Sequence, residues 1–208
     1  MKGKFITIEG IDGAGKTTQI QLMKEFLERN HQKVLVTREP GGTVIGEKIR
    51  QVVLDPQHQE MSYTTEALLY AASRGQLVKQ VIMPALDRGE IVICDRYVDS
   101  SLVYQGRGRN LGFEAVKAIN DFATQGLEPD LTLFLEISPE EGLKRVASRG
   151  EGDRLDQEKA AFHHQAYEAY HDLIEKYPQR IHVIQADGDV ASIQLQIEAV
   201  LNQLILTD

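Results

Sequence analysis

Residues 4–30, KFITIEGIDGAGKTTQIQLMKEFLERN, decide the fold. The opening KFITIE is a short run of apolar, mostly β-branched and aromatic residues, and reads as a strand. From Thr17 onward the apolar positions recur at helical spacing, which reads as an amphipathic helix. Between them, Gly10, Ile11, Asp12, Gly13, Ala14, Gly15, Lys16 and Thr17 fit the pattern G-x-x-x-x-G-K-[ST], with Thr18 following. Such a loop wraps a polyphosphate in backbone N–H groups. Its lysine reaches the β and γ phosphates, its Thr17 hydroxyl suits Mg²⁺, and the helix dipole behind it favours an anion. A glycine-rich turn with an incidental Lys-Thr is the competing reading, which the complete pattern between strand and helix disfavours.

Outward from this stretch, further apolar runs alternate with amphipathic segments: KVLVT at 33–37, EIVICD at 90–95, LTLFLEI at 131–137 and RIHVIQ at 180–185. That alternation predicts an α/β fold whose five-stranded parallel sheet carries helices on both faces, because the strands read as nearly continuous apolar runs. Helical spacing predicts one long helix within 61–86, ending near Pro84, and others over Gly112 to Gln125 and Gln157 to Lys176. With no linker or repeat, the 208 residues are expected to form one domain.

A formal charge of -8 argues against a nucleic-acid or anionic-membrane partner, although local arginines can hold small anions. Cys94 is the single cysteine, so no internal disulfide can form and a reducing compartment is expected. The N-terminus runs into a strand without an apolar leader, and no stretch approaches a membrane span; cytoplasm is the default.

In open parallel sheets ligands gather beyond the C-terminal strand ends, so those ends can be read in turn. Strand two ends in TREPGG, with Arg38, Glu39 and Pro40, which by itself could be a solvated turn. Strand three ends in Asp95, placed to hold Mg²⁺ or its water shell, and Arg96, suited to a two-point grip on phosphate. Taken alone, the pair could equally be an ordinary ion pair. After strand four, Arg145, Arg149 and Arg154 bracket Gly150 and Gly152. They read either as solvated helix-end charge or as a lid bringing arginine to a reacting phosphate. Adjacent His163 and His164 lack the spacing of paired ligands, so no structural metal is expected. GRGR at 106–109 reads as a flexible solvated loop, and DGD at 187–189 as a turn.

Together EGIDGAGKTT, TREPGG, LLYAASR, CDRYVDSSLVYQG, PDLTLFLEIS and GDRLDQE resemble, in order and spacing, the bacterial thymidylate kinases. The resemblance spans essentially the whole chain. It implies a P-loop NTPase fold with a short lid at about 145–156, and transfer of the ATP γ-phosphoryl group to dTMP, with Mg²⁺, to give dTDP for dTTP synthesis. It implies that Lys16 and Thr17 serve ATP and Mg²⁺, that Asp12 lies near the acceptor sugar, and that Arg38 and a cis Glu39–Pro40 turn lie on the acceptor side. It further implies that Tyr70 stacks on the base, Arg74 reaches the base edge, Arg96 grips the dTMP phosphate, and Ser101, Tyr104 and Gln105 line base and sugar. Tyr104 would crowd C2′ and disfavour ribonucleotides. Eukaryotic-type relatives carry an arginine where this loop has Gly13, so here the catalytic arginine is expected from the lid, at Arg149 or Arg154. Homodimers are usual in the family, with the helices near 62–83 and 112–125 as the expected contact.

The acceptor phosphate, with a second pKa of about 6, is largely ionised at neutral pH and needs no strong base. Two rivals stay open on sequence alone. A deoxynucleoside kinase would use Asp12 or Glu39 as a base toward a neutral hydroxyl. A nucleotide-driven switch would need a partner surface instead of an acceptor pocket.

Overall fold

The computed structural model describes residues 2–147, 154–155 and 158–206. Five parallel strands, β1 (Phe5–Glu9), β2 (Val34–Arg38), β3 (Ile91–Asp95), β4 (Leu131–Glu136) and β5 (Ile181–Gln185), lie in the order β2-β3-β1-β4-β5. These are the strands the apolar runs predict. In register, Ile8 of β1 sits beside Asp95 of β3, and Glu9 sits beside Phe134 of β4. The chain departs to opposite sides of β1, so the C-terminal end of β1 is the point where the strand order reverses and a crevice opens.

Helices α1 (Lys16–Arg29), α2 (Val44–Leu54), α3 (Tyr63–Leu77), α4 (Met83–Asp87), α5 (Val98–Ser101), α6 (Phe113–Thr124), α7 (Pro139–Ala147), α8 (Ala160–Lys176) and α9 (Val190–Leu206) complete the described architecture. Side chains alternate between the two faces of the sheet. Ile6, Ile8, Ile91 and Ile93 pack with Met23, Leu27, Ala166 and Leu201, while Phe5, Val92 and Cys94 pack with Leu77, Ile82 and Leu86. Apolar cover on both faces is why the strands read as continuous runs. Cys94 is a fully buried part of the second core, its thiol pushed up by burial.

Two expectations need correction. The helix predicted within 61–86 starts as expected, with the Ser62 hydroxyl accepting from Thr65 N at 3.2 Å, but it is not uniform and does not stop at Pro84. A π-helical segment, Val78–Ile82, precedes Pro84, and the Met83 N–H reaches back to the Val78 carbonyl. Proline has no N–H to give and crowds the carbonyl four residues before it, so a wider turn lets the helix continue. The second correction concerns GRGR: residues Leu102–Gly108 form another π-helical segment, and Arg109 is buried at 6 % exposure. Its guanidinium pairs with Glu66 and Glu158 and lies against the rings of Tyr63 and Phe162, partners far away in sequence.

Candidate active site

The loop predicted to hold phosphate spans the gap between β1 and α1. Gly15 takes φ of +88° to turn the chain into α1, and Gly15, Lys16, Thr17 and Thr18 line the crevice there. Lys16 is buried, and its Nζ donates to the carbonyls of Gly10 and Ile11 at 3.0 and 3.1 Å, with Asp12 at 3.8 Å. Burial and the nearby Arg96 lower its pKa, against the pull of Asp12 and Asp95. Gly10, Ile11 and Ala14 form the loop's frame, while Asp12, Gly13, Gly15, Lys16, Thr17 and Thr18 face the cavity. Gly13 has φ of +85°, and a Cβ there would lie 2.4 Å from the Gly142 carbonyl oxygen of α7. No side chain fits at that position without moving α7, so an arginine cannot be supplied from it.

A cavity of about 230 Å³ extends from this loop to the ends of β2 and β3 and to α3. Arg38, Glu39, Pro40, Tyr70, Arg74, Arg96, Ser101, Tyr104 and Gln105 all line it, as does Asp12. The Glu39–Pro40 bond is cis. Arg38, half exposed, donates from Nη2 to both carboxylate oxygens of Glu47 at 3.0 Å. Tyr70 and Arg74 share a face of α3, four residues apart, and both are buried. Arg74 is locked: Nε donates to Glu39 Oε2 at 2.5 Å, Nη1 to Ser101 Oγ at 3.0 Å and to Asn120 Oδ1, and Nη2 to the Tyr97 carbonyl at 3.0 Å. Burial raises the Glu39 carboxyl to about 7, and the guanidinium of Arg74 limits the rise.

Arg96 stands where the two walls meet. Its backbone adopts φ of +67°, costly for a residue with a side chain, and it directs its guanidinium back to the loop. Nη2 donates to Asp12 Oδ1 at 2.7 Å, Nη1 to Ser100 Oγ at 3.1 Å and Tyr170 OH at 3.3 Å, and the group lies over the Tyr104 ring at 5.2 Å. Burial opposes ionisation of Asp12, but Arg96 and Lys16 together hold its carboxyl down at about 2. Behind Arg96, buried Glu9 accepts from Ser100 Oγ at 2.6 Å, Tyr170 OH at 2.8 Å and Tyr97 N at 2.8 Å. Burial, reinforced by Asp99, raises its pKa.

Arg149 lies outside the described residues. Arg154 is described and does not line the cavity; it is buried on the α2–α3 side, with Nε donating to the Val53 carbonyl at 3.0 Å and Nη2 to Glu66 Oε2 at 2.5 Å. Arg145 reaches the loop, its Nη1 donating to the Gly13 carbonyl at 3.4 Å. Sequence reasoning missed Glu9, Ser100, Glu66, Asn120 and Tyr170. Glu9 carried a signal, as the last strand residue before the loop; Ser100 had one in its neighbour Ser101. Tyr170, Glu66 and Asn120 had none, because their partners lie in other elements.

A glycine-rich loop that shares one crevice with a buried pocket of arginines, carboxylates and a tyrosine is the arrangement expected of a P-loop kinase. The family model for thymidylate kinase matches residues 8–197. A thymidylate kinase of Lactobacillus delbrueckii subsp. bulgaricus is 53% identical over 196 residues, covering 93% of this chain and 92% of the relative. One from Thermoanaerobacter sp. is 47% identical over 205 residues, covering 99% of this chain and all of the relative. The crystal structure of thymidylate kinase from Ehrlichia chaffeensis superimposes with a TM-score of 0.80 at 30% identity, over 97% of this chain and 100% of that one. The chain belongs to the thymidylate kinase family, whose reaction is the ATP-dependent phosphorylation of dTMP to dTDP. Membership decides against the deoxynucleoside kinase and the switch.

Proposed function

We propose a division of labour in which the loop from Gly10 to Thr18 holds the ATP polyphosphate through its N–H groups and Lys16, and Arg96 holds the acceptor phosphate facing it. The observation that carries this reading is the 2.7 Å contact from Arg96 to Asp12, which fixes the acceptor-side cation at the edge of the donor loop. A monophosphate on that guanidinium is within reach of a triphosphate in the loop. Two polyanions must approach in line, and buried Lys16 and Arg96 offset their repulsion while fixing orientation. Tyr70 offers its ring to the base, and Arg74, held by four partners, presents a rigid edge beside it. Asp12 and Glu39 face the sugar side, and Tyr104, pinned beneath Arg96, stands where a 2′-hydroxyl would crowd it. Arg149 remains the proposed lid arginine, residues about 145–156 the proposed lid of a single domain, and Arg154, held by Glu66 and the Val53 carbonyl away from the cavity, is withdrawn from that role.

Mg²⁺ fits the donor set present. Asp95 Oδ1 is buried and has no hydrogen-bond partner among the described residues, and the exposed Thr17 hydroxyl stands in the first turn of α1. A carboxylate and a hydroxyl beside substrate phosphates are the hard oxygen ligands Mg²⁺ takes. Bound there, it would neutralise charge on the ATP phosphates.

We also propose a homodimer through α2, α3 and α6. These helices pack side by side and expose Val44, Ile45, Leu68 and Phe122, the last at 89 %. Apolar side chains at that exposure on adjoining helices suit a second copy of the chain, and the mass in solution checks this. Among the described residues no helix is long and apolar enough to cross a membrane, and the buried single thiol fits a cytoplasmic setting.

The test of the proposed site is ATP consumption with Mg²⁺ and dTMP, thymidine, dUMP, dCMP, dAMP, dGMP or no acceptor, with product identification. We expect dTDP with strong preference for dTMP; turnover with thymidine in place of dTMP would remove Arg96 from its assigned role.

A further inference from the structure

Glu66 is fully buried on α3, four residues before Tyr70 and eight before Arg74, so it continues their line along the helix face. Each of its carboxylate oxygens accepts two hydrogen bonds. Oε1 takes Gln105 Nε2 at 2.9 Å and Arg109 Nε at 3.2 Å; Oε2 takes Arg109 Nη2 at 3.1 Å and Arg154 Nη2 at 2.5 Å. Glu158 adds a second negative charge on Arg109, so two carboxylates face two guanidiniums and the cluster is neutral. Burial works against the ionised form of Glu66, but the bonds from Arg109, Gln105 and Arg154 outweigh it and lower the pKa.

An ionised carboxylate is an acceptor only, whereas a glutamine amide has one accepting end and one donating end. Gln105 therefore cannot flip without losing this bond: one hydrogen of its NH₂ is held on Glu66, and its oxygen is the accepting end. Gln105 also lines the cavity, at 2 % exposure, on the same wall as Ser101 and Tyr104.

We propose that Glu66 is a positioning residue for base readout: it holds the Gln105 amide by its NH₂ so that the carbonyl oxygen is the end turned to the acceptor base. Thymine offers a donor, N3–H, to such an oxygen. Cytosine has a lone pair at N3, and would set acceptor against acceptor. The dTMP pocket so rejects a pyrimidine through a carboxylate that does not touch the base. This inference rests on the placement of Gln105 in the acceptor pocket.

The experiment compares kcat/KM for dTMP and dCMP in three folded variants, with melting temperature read first. Gln105→Leu tests the premise: the dTMP:dCMP ratio should fall at least tenfold, and an unchanged ratio overturns the proposal at its foundation. In Glu66→Gln the facing amide can donate or accept, Gln105 is released to flip, and the ratio should narrow by about tenfold, the weight of one net hydrogen bond. The double variant should match Gln105→Leu alone, since both changes act through one amide. If Glu66→Gln lowers both substrates in proportion while Gln105→Leu alters the ratio, Glu66 serves packing only and the proposal fails. Should Glu66→Gln not fold, Glu66→Asp keeps the charge for both arginines but draws it back from Gln105, and the same ratio decides.

Discussion

The two walls of the crevice are made in opposite ways. The wall proposed for the donor is a run of consecutive residues, Gly10 to Thr18, with positive φ at Gly10, Gly13 and Gly15, and its lysine is satisfied by carbonyls of the same loop. The acceptor wall is side chain: Arg74 from α3 is held by Glu39 after β2, Ser101 from α5, Asn120 from α6 and the Tyr97 carbonyl after β3. A backbone site depends on local dihedrals and tolerates change elsewhere. A side-chain site needs several elements in place at once, and each element contributes a different polar group.

That contrast can be broken by experiment. Lys16→Ala and Arg96→Ala should each cost about a thousandfold or more in kcat with the protein still folded, since on the proposed reading each removes charge facing the transferring phosphoryl group. Near-normal turnover in either would dissolve the division into donor and acceptor walls. Arg74→Ala should behave differently, because it strands a buried carboxylate and the Asn120 amide. The expected loss is about 3 kcal/mol of stability, read by denaturant midpoint, together with activity. Equal stability to the parent would mean that the acceptor wall is no more interdependent than the loop.

Tyr70→Ala should raise KM for dTMP by about thirtyfold, on the order of 2 kcal/mol of lost aromatic contact, and leave KM for ATP within about twofold. An effect confined to ATP would move Tyr70 out of the acceptor wall. The smallest effect is expected where the walls touch. Asp12 has its folded pKa lowered to about 2, so its ionised form adds stability above its unfolded value, and that contribution fades as pH falls from about 4 toward 2. Asp12→Asn should flatten that part of the acid unfolding profile by no more than about 1 kcal/mol, because the carboxylate is partly solvated. A change of slope at neutral pH instead would place the coupling on another group.

The same contrast governs what could be read in advance. The strands were legible because burial on both sheet faces leaves a continuous apolar run, and the loop because a tight turn from strand to helix with positive φ demands glycines, here Gly10, Gly13 and Gly15. Arg96 and Asp95 were legible as polar residues ending an apolar strand. The readings that failed were of neighbours in space. Arg109 looked like part of a solvated GRGR loop, yet Glu66, forty-three residues earlier, buries it. Pro84 looked like a helix end, yet a π-helical turn carries the chain past it.

By itself, then, the sequence determined the α/β alternation, the glycine loop after β1 and the polar residues at the strand ends, because these follow from local periodicity and from chemistry carried by adjacent residues. Only the tertiary structure decided which charge neutralises which: that Glu9 backs Arg96 through Ser100 and Tyr170, that Glu39 and Asn120 hold Arg74, and that Glu66 holds Gln105. Pairings of buried polar groups are set by which helices pack on which strands, and a polar group deep in a core accepts whichever partner the packing brings within hydrogen-bond distance.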